Sequence, residues 1–590
     1  MVHRVSMPDP RTHLLHVETT VSAKALPDAF VLFMPVWTPG SYLVREYSRH
    51  VEAFTADLPA RATKVRKNAW RIETAGASVA VVRYRVYANE LTVRTSHLDE
   101  SHAFLVGAAV FLGLEGRPEV GARVEIAAPS GWRIATSLAA APGAGDPAAY
   151  CLDAPDFHTL VDSPIELGTH RDERFEVLGT PHRYAIWPAG AIADADVRRL
   201  VADTRAILET EAKLFGGRLP YAAYELLLHL STRGRGGLEH ASSAALVASP
   251  ASFATRDAYL DLLSLVGHEA FHAWNVKRIR PAGLAPYRYE DECYTRLLWW
   301  FEGATSYYDW RVLAVASLCT VEEYLDHLAG EIAYLDQTPG RLVHALEDAS
   351  YDAWIKLYRP DESSPNTSVS YYRKGEVVCA LLDLEIRARS EGRASLDRIL
   401  AHLWEEYGAK GRAVPEDAMQ GIFERIAGVP LGDLFDAWIR SPAEIDYAHT
   451  LALVGLTLER TAKAESATSS LGMRLRAEGG RCVVASVPRD SAAWRAGIDA
   501  GDEVIAVCGT RTEGTNVDLA LRGHHRGDEV DVVLGRDGRV LTRRATLDPP
   551  RLDRVKVLAK RDAPAGARAA FAAWLGQAHP AWSGREGSAP

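Results

Sequence analysis

A multidomain α+β protein is the fold class that the sequence predicts, and three observations lead to it. The chain has 590 residues, whereas single hydrophobic cores stop growing at roughly 250–300 residues. Residues 1–170 contain short alternating apolar and polar runs broken by Gly, Pro and Asp, which is typical of β-structure. Residues 256–450 show apolar positions at helical spacing, and strand-like patterns return after residue 450. We therefore expect three or four domains.

The first two segments differ in their patterns. Residues 1–170 are predicted to form a β-sandwich, because short strands recur without intervening helices. Residues 171–255 are predicted to be a mixed α/β segment. It has an amphipathic helix over 194–215, ended by two glycines, and a strand over 224–230.

Composition excludes several classes of protein. The net charge of −10 is mild for this length and argues against a nucleic-acid partner. No apolar run reaches the roughly 18 residues of a membrane span. The six cysteines are scattered without a C-x-x-C pair, and the first ten residues lack an apolar signal core. These features favour a cytoplasmic protein, and they give no indication of the oligomeric state.

Residues 268–272 read His-Glu-Ala-Phe-His within a predicted helix. Side chains four apart lie on one face of a helix, so His268 and His272 can bind one ion. Glu269 is about 100° round the helix from His268, where it can reach a water molecule without acting as a ligand. This pattern is typical of zinc hydrolases.

A zinc site with two histidines needs a third protein ligand. Glu302 is the candidate, because it is a lone carboxylate in the aromatic stretch 299–308. Burying such a group costs several kcal/mol unless it is paired, protonated or bound to metal. A salt bridge with Arg311 is the alternative interpretation.

Together with further motifs, these residues resemble the PDZ-containing glycyl aminopeptidases, which are gluzincin zinc metallopeptidases and distant relatives of the alanyl-type aminopeptidases. The supporting motifs are Trp-Thr-Pro-Gly-Ser-Tyr at 37–42, Gly-Gly-Leu-Glu-His at 236–240, His-Ala-Trp-Asn at 272–275, Lys-Arg-Ile-Arg-Pro at 277–281, Glu-Gly-x-Thr-x-Tyr-Tyr at 302–308 and Tyr-Tyr-Arg-Lys-Gly at 371–375. The resemblance covers the chain to about residue 550. The stretch from Pro281 to Arg288 is predicted to be an inserted loop that lengthens the gap between His272 and Glu302.

The resemblance implies a thermolysin-like zinc peptidase catalytic domain, with a mixed lobe over 171–255 and a helical lobe with the zinc site over 256–450. One Zn²⁺ per chain would be held by His268, His272 and Glu302, with Glu269 as general base. Tyr372 stands where the family has a transition-state tyrosine. Tyr371 is the competing candidate, and aromatic packing is the alternative for either.

The same resemblance places the substrate's N-terminus. Glu239 is the candidate that receives the α-ammonium group, while Gly236 and Gly237 would let the backbone lie close to an extended substrate. A Gly-rich turn with a solvated glutamate is the alternative. Asn275 is a candidate partner that orients a metal ligand. Residues 37–42 are most simply a Pro-Gly turn between packed aromatic rings.

Residues 451–550 resemble a PDZ domain. Leu471, Gly472 and Met473 would form its carboxylate-binding loop, and such a module binds a peptide C-terminus as an added strand. A spacer that binds nothing is equally compatible with the sequence. Residues 551–590 are rich in Ala, Gly and Pro and are predicted to be mostly a disordered tail.

The predicted function is that of a zinc aminopeptidase that acts on peptides with a free N-terminus and removes small residues such as Gly or Ala. The small-residue preference is implied by the resemblance alone. Two alternatives are kept. One is a zinc endopeptidase whose PDZ domain delivers substrates, and the other is a PDZ peptide-binding protein with a vestigial metal site.

Overall fold

The computed structural model describes residues 1–142, 149–462, 469–512, 514 and 517–580. The chain divides into two compact units. The first comprises Met1–Thr295, Tyr308–Leu318 and Leu400–Glu416, and the second comprises Arg296–Tyr307, Cys319–Ile399 and Asp417–Pro590. Among the described residues, no helix has the length and apolar character needed to cross a membrane.

Open sheets make up the N-terminal part of the first unit, which confirms the predicted β-rich domain. The largest sheet contains, in spatial order, Ala139–Ala140, Ala149–Ala154, Ala122–Ala127, Val2–Ser6, Leu14–Ser22, Val79–Tyr87 and Val51–Ala56. The next contains Arg133–Thr136, Ile165–Gly168, His102–Leu105, Thr95–Leu98 and Asn89–Thr92. Another contains Gly113–Leu114, Ala29–Phe33, Ala69–Glu73 and Arg61–Arg66.

A mixed sheet follows in the same unit, as predicted for the α/β segment. Its strands, in spatial order, are Arg171–Val177, Thr180–Trp187, Tyr224–Leu230, Ser243–Ala248 and Gly236–Glu239. The strand Tyr224–Leu230 has the predicted bounds, and its inward side chains are fully buried. Leu227, Leu238 and Ala245 join this sheet to the hydrophobic core of the N-terminal sheets.

Four of the described helices belong entirely to the first unit, and the two longer ones pack against the mixed sheet. The four helices are Gly107–Val110, Phe157–Val161, Asp194–Leu214 and Arg256–Phe271, with short 3₁₀ turns at Pro10–Thr12, Tyr47–His50, Pro250–Phe253, Ala282–Leu284 and Gly408–Lys410. A short parallel pair joins Arg280–Pro281 to Ala413–Val414. The helix Arg256–Phe271 packs on Asp194–Leu214 and on the strand Gly236–Glu239, so the Gly-rich strand lies beside the helix that carries the predicted metal-binding motif.

The predicted helical segment 256–450 is divided between the two units, and the second unit has helices both before and after a small β domain. Its helices are Leu298–Phe301, Val321–Asp336, Leu346–Tyr351, Ser364–Thr367, Tyr371–Arg389, Met419–Ala427, Gly432–Leu434, Tyr447–Ala452, Ala492–Arg495 and Ala565–Leu575, with a π-helical turn at Phe435–Ile439 and a 3₁₀ turn at Pro339–Leu342. The helices Gly303–Val315 and Leu396–Glu406 each contribute residues to both units.

A small antiparallel β domain lies near the C-terminus of the chain. Its sheet contains Arg474–Glu478, Arg481–Ser486, Glu503–Val507, Glu529–Arg536 and Arg539–Thr546, and Thr510–Arg511 pairs with Glu503–Val507. Arg474–Glu478 is an edge strand of this sheet. The domain has its own hydrophobic core around Val484, Val532 and Leu534.

The prediction of a mostly disordered tail from residue 551 is wrong for the part that the structure describes. Arg554–Ala559 pairs with Leu456–Thr461 as an antiparallel strand, and Ala565–Leu575 is a helix. Phe571, Trp574 and Leu575 are fully buried. The burial of these apolar side chains stabilises the helix although the segment is rich in Ala, Gly and Pro. Residues 581–590 lie outside the described residues.

Candidate active site

The His-Glu-x-x-His motif lies at the C-terminal end of the helix Arg256–Phe271. This helix begins at the N-cap Thr255, whose side chain accepts a backbone hydrogen bond from the first turn. His272 is the C-cap residue and keeps helical backbone angles of φ −61° and ψ −19°. The rings of His268 and His272 therefore stay on one face, with their centroids 4.7 Å apart.

In both His268 and His272, the ring atom Nδ1 forms a hydrogen bond with a neighbouring oxygen. His268 Nδ1 lies 3.0 Å from Asp309 Oδ2, and His272 Nδ1 lies 2.6 Å from the backbone oxygen of Asn275. Since both oxygens accept, each Nδ1 carries the donated proton, and Nε2 becomes the nitrogen that can bind a metal. Metal-binding histidines usually have this arrangement. Asn275 thus contacts a predicted ligand through its backbone.

Glu269 is buried, at 4% exposure, and a glycine strand passes directly beside its carboxylate. A Cβ atom added to Gly237 would lie 2.0 Å from Glu269 Oε1. No side chain fits there without displacing the strand or the carboxylate. At Gly236 an added Cβ would meet only Arg94 Nη1, at an ordinary 3.7 Å, but the backbone φ of +156° is one that other residues rarely adopt. Arg94 Nη2 donates to the backbone oxygen of Gly237 over 3.1 Å.

Glu239 ends the Gly-rich strand and is 3% exposed. Its buried Oε1 has no hydrogen-bond partner among the described residues. The turn at 37–42 packs onto this carboxylate, because a Cβ added to Gly40 would lie 2.3 Å from Glu239 Oε2. Gly40 also has φ +88°, a left-handed conformation that favours glycine. Lys277, whose charge interacts with that of Glu239, forms an ion pair with Asp162 at 2.7 Å.

Three predicted site residues come together within the first unit. One carboxylate oxygen of Glu239, one of Glu269 and one ring nitrogen of His272 all lie within 4.8 Å of one another. All three residues are buried. Glu239, whose Oε1 has no hydrogen-bond partner among the described residues, therefore stands next to Glu269 and His272.

Glu211 is a further buried carboxyl group behind the motif. It lies on the helix Asp194–Leu214, and neither of its side-chain oxygens has a hydrogen-bond partner among the described residues. Burial raises the pKa of Glu211 well above its ordinary value, and the charge of Asp309 raises it further.

Glu302 belongs to the second unit and is 1% exposed. It caps the helix Leu298–Phe301 and immediately precedes the helix Gly303–Val315. A Cβ added to Gly303 would lie 2.5 Å from the Cα atom of Gly375. The close approach of these two glycines fixes the helix Tyr371–Arg389 against the segment that carries Glu302.

Tyr372 lies near Glu302 within this unit. Burial raises the pKa of Tyr372 well above its ordinary value, and the charge of Glu302 raises it further. The hydroxyl oxygens of Tyr372 and Tyr358 are 3.1 Å apart. Tyr371 stacks on the ring of Tyr372 and is fully buried, whereas Tyr372 is partly exposed.

The predicted carboxylate-binding loop of the small β domain has its own internal hydrogen bonds. The N–H of Gly472 donates to Ser470 Oγ over 3.0 Å, and the N–H of Ala493 donates to the oxygen of Leu471 over 2.8 Å. The side chains of Leu471 and Met473 are buried in the domain core. The N–H of Gly472 is therefore engaged in a hydrogen bond within the loop itself.

Comparison with known proteins identifies the domains. A family profile described as the Peptidase M61 N-terminal domain matches residues 3–169, one for M61 glycyl aminopeptidase matches 261–378, and one for a PDZ domain matches 469–547. The crystal structure of an aminopeptidase N family protein from Idiomarina loihiensis is similar at 27% identity. The match covers 97% of this chain and 99% of that one, with a TM-score of 0.90. The chain belongs to the M61 glycyl aminopeptidase family.

The aminopeptidase also matches two more distant solved structures. Yeast LTA4 hydrolase in complex with bestatin is 13% identical, with 77% of this chain and 69% of that one covered and a TM-score of 0.47. An M1 zinc metallopeptidase from Deinococcus radiodurans is 14% identical, with 75% and 94% covered and the same TM-score of 0.47. No curated protein matches.

The family and the full-length structural match make this protein a metallo-aminopeptidase. The aminopeptidase contains functional neighbours that sequence reasoning missed, namely Asp309, Glu211 and Gly40. Asp309 follows Glu302 by seven residues, which is two helical turns on the same face, so this spacing is the signal that could have found it. Nothing in the local sequence marks Glu211 or the contact of Gly40 with Glu239.

Proposed function

We propose that this protein is a zinc aminopeptidase that removes small N-terminal residues from peptides. The observation that carries the proposal is the placement of Glu239, whose carboxylate lies within 4.8 Å of an oxygen of Glu269 and a nitrogen of His272. The α-nitrogen and the carbonyl carbon of one residue are roughly 2.5 Å apart. A single amino-acid residue therefore spans the gap between an amine held at Glu239 and a carbonyl beside Glu269.

The residues present fit a zinc ion. The Nδ1 contacts of His268 with Asp309 and of His272 with Asn275 direct the two Nε2 atoms to act as ligands. Zinc bound there would lower the pKa of a water molecule to near roughly 7 and polarise the substrate carbonyl. We propose one such catalytic ion per chain.

Glu302 is the proposed third ligand. It is a buried carboxylate, and Asp309 lies two helical turns further along the same face. Asp309 contacts His268 Nδ1 within the first unit. The family resemblance assigns Glu302 the same role.

Glu269 is the proposed general base. It would accept a proton from the attacking water and pass it to the departing amine. Gly237 supports this role, because the absence of a side chain lets the strand lie directly beside the Glu269 carboxylate. An extended substrate can then follow the strand and bring its first peptide bond to Glu269.

Glu239 is the proposed receiver of the substrate α-ammonium group. A buried carboxylate whose Oε1 has no hydrogen-bond partner among the described residues is costly, and a bound cation offsets that cost. The Gly40 turn closes the other side of the carboxylate. The preference for Gly or Ala is supported by the family resemblance.

Tyr372 is the proposed donor to the negative charge that develops on the substrate oxygen. Its position near Glu302 and its partial exposure favour it over the fully buried Tyr371. For the PDZ domain, the edge strand Arg474–Glu478 offers a site at which a peptide could add as a strand. Use of the Gly472 N–H by Ser470 argues against capture of a C-terminal carboxylate at that residue.

We also propose a cytoplasmic location. All six cysteines lie among the described residues and are free thiols, and five of them are buried. Structural disulfides are rare in reducing compartments, so scattered free thiols fit such an environment.

The variant Glu269→Gln tests the proposed chemistry. We expect turnover of alanyl-p-nitroanilide to fall by about 10²–10⁴-fold, since the amide cannot accept the proton. Zinc content should stay at the wild-type level because Glu269 is not a ligand. Measuring kcat together with bound zinc separates the two effects. Wild-type turnover in this variant would contradict the assignment.

A further inference from the structure

A second group of metal-binding side chains lies on the hairpin between the strands Thr95–Leu98 and His102–Leu105, outside the peptidase motif. His97 Nδ1 and His102 Nε2 are 2.9 Å apart. One ligand atom from each of His97, Asp99 and His102 lies within 4.8 Å of the other two. The ligands of a tetrahedral zinc ion are roughly 3.3 Å apart. Small side-chain movements would therefore bring these atoms to binding distance.

The ring of His102 is held in the orientation of a metal ligand. Its Nδ1 lies 3.1 Å from Glu166 Oε1, and the ring stacks on Trp187 at a centroid distance of 3.6 Å. The second oxygen of Glu166 is 3.0 Å from His229 Nε2. Glu166 is fully buried, and each of its oxygens contacts one histidine ring. Because Nδ1 of His102 contacts Glu166, the other ring nitrogen, Nε2, faces His97. A carboxylate behind a histidine is the usual support for a metal ligand.

One carboxylate oxygen of Asp99 accepts hydrogen bonds within the hairpin turn. Its Oδ1 accepts hydrogen bonds from the N–H and hydroxyl of Ser101 and from the N–H of His102. These bonds from described residues all use Oδ1, which leaves Oδ2 for a ligand. The turn therefore presents a carboxylate oxygen beside the two imidazoles.

His97 is neutral at physiological pH. Burial lowers the pKa of His97 to about 4, and the nearby ring of His102 lowers it further. His13 lies next to His97, with ring centroids 6.5 Å apart, and its Nδ1 is 2.5 Å from the oxygen of Leu98.

We propose that His97, Asp99 and His102 bind a second divalent metal ion, separate from the peptidase centre, and that Glu166 positions His102 for it. Two imidazole nitrogens and one carboxylate oxygen suit Zn²⁺, with water in the fourth position. The ion would tie the hairpin turn to its two strands. Without a metal ion, the 2.9 Å contact between the two rings is a histidine–histidine hydrogen bond. The experiment below distinguishes this hydrogen bond from a metal site.

The test is a count of zinc sites in the full-length, metal-free protein by titration against a chromophoric chelator. We expect two ions per wild-type chain. One ion should remain in His97→Ala and one in His268→Ala, and none in the double variant. His16→Ala should keep two, because His16 is a partly buried strand histidine outside the group. Asp99→Asn, a conservative change in the turn, should weaken the second ion by about 10–100-fold.

Thermal unfolding supplies a readout that is independent of peptidase activity. Zinc should raise the Tm of His268→Ala but not that of the double variant, because bound ions stabilise the folded state. Circular dichroism checks that each variant is folded. If the wild-type chain binds one ion and His268→Ala binds none, the proposal is wrong. The contact between His97 and His102 would then be a hydrogen bond only. Retention of both ions by His97→Ala would overturn it as well. If only the peptidase site did not bind zinc, the wild-type chain would bind one ion, and that ion would be lost in His97→Ala but not in His268→Ala.

Discussion

Glu269 and Glu239 are the same type of residue a few ångströms apart, but their surroundings give them different chemistry. Glu269 lies in the metal-binding motif, where the backbone of Gly237 passes against its carboxylate. Glu239 has an oxygen without a hydrogen-bond partner among the described residues and a glycine turn against the other. These environments support the roles proposed for them, Glu269 as the base that transfers a proton and Glu239 as the anion that holds the substrate's ammonium group.

Tyr372→Phe is the residue-scale prediction. Loss of the hydroxyl should lower kcat by about 10²–10³-fold while KM changes little, because the contact forms only in the transition state. Tyr371→Phe is the matched control, since it removes the hydroxyl of the adjacent, fully buried ring. Steady-state kinetics on alanyl-p-nitroanilide measures both. A larger kcat loss in the control than in Tyr372→Phe would exchange their roles.

Part of the candidate site could be predicted from the sequence because it is local. His268, Glu269 and His272 follow from helical spacing, and the helix was found where expected. Asp309 and Glu211 depend on how the helix Gly303–Val315 and the helix Asp194–Leu214 pack against the motif. Such tertiary contacts leave no periodic signal in one sequence.

At the scale of elements, the turn at 37–42 is more than a connection between strands. The sequence predicts a Pro-Gly turn between packed aromatics, and Trp37 and Tyr42 are indeed buried. Trp37 Nε1 also donates to the backbone oxygens of Arg288 and Asp291, which fixes the segment that follows the metal-binding helix. The turn therefore braces both Glu239 and this segment.

Gly40→Ala is the element-scale prediction. The added methyl would overlap the Glu239 carboxylate, so we expect kcat/KM for free-amine substrates to fall by about 10-fold or more, a loss of roughly 1.4 kcal/mol in transition-state binding. Gly76→Ala is the control, because Gly76 has a similar φ of +78° but nothing within 4 Å of an added Cβ. It imposes similar backbone strain without the overlap. Equal losses of activity in both variants would show that strain alone is responsible.

The fold was predictable to different degrees in its elements. The strand Tyr224–Leu230 has its predicted bounds, and the helix Asp194–Leu214 ends one residue before its predicted end, because the periodicity of both is regular. The C-terminal helix was missed, because alanine-rich composition resembles that of a disordered segment. Its stability comes from three large side chains that find a hydrophobic core, which is a tertiary effect.

At the scale of the whole molecule, the segment after the PDZ domain returns to the helical part of the second unit. Trp574 Nε1 donates to Tyr307 Oη over 2.8 Å, and that hydroxyl donates to Asp383 Oδ2 over 2.7 Å. Tyr307 lies five residues after Glu302. The C-terminal helix thus helps to hold the segment that carries the proposed third ligand.

Trp574→Ala should lower the free energy of unfolding by about 3–5 kcal/mol, because it empties a fully buried site. Trp494→Ala is the control, since Trp494 is 48% exposed, and its effect should stay within about 0.5 kcal/mol. Urea unfolding monitored by circular dichroism measures both. A wild-type stability for Trp574→Ala would mean that the C-terminal helix does not contribute to the core.

The most direct test of the central claim compares glycyl- and alanyl-p-nitroanilide with their N-acetylated forms. The wild-type enzyme is assayed before and after removal of metal by a chelator, and again after zinc is returned. We predict cleavage of the free-amine substrates alone, lost with the chelator and restored by zinc, and an increased KM for them in Glu239→Ala. Cleavage of the acetylated substrates at a similar rate would contradict the account, because an enzyme that holds the α-ammonium group at Glu239 cannot accept a blocked amine.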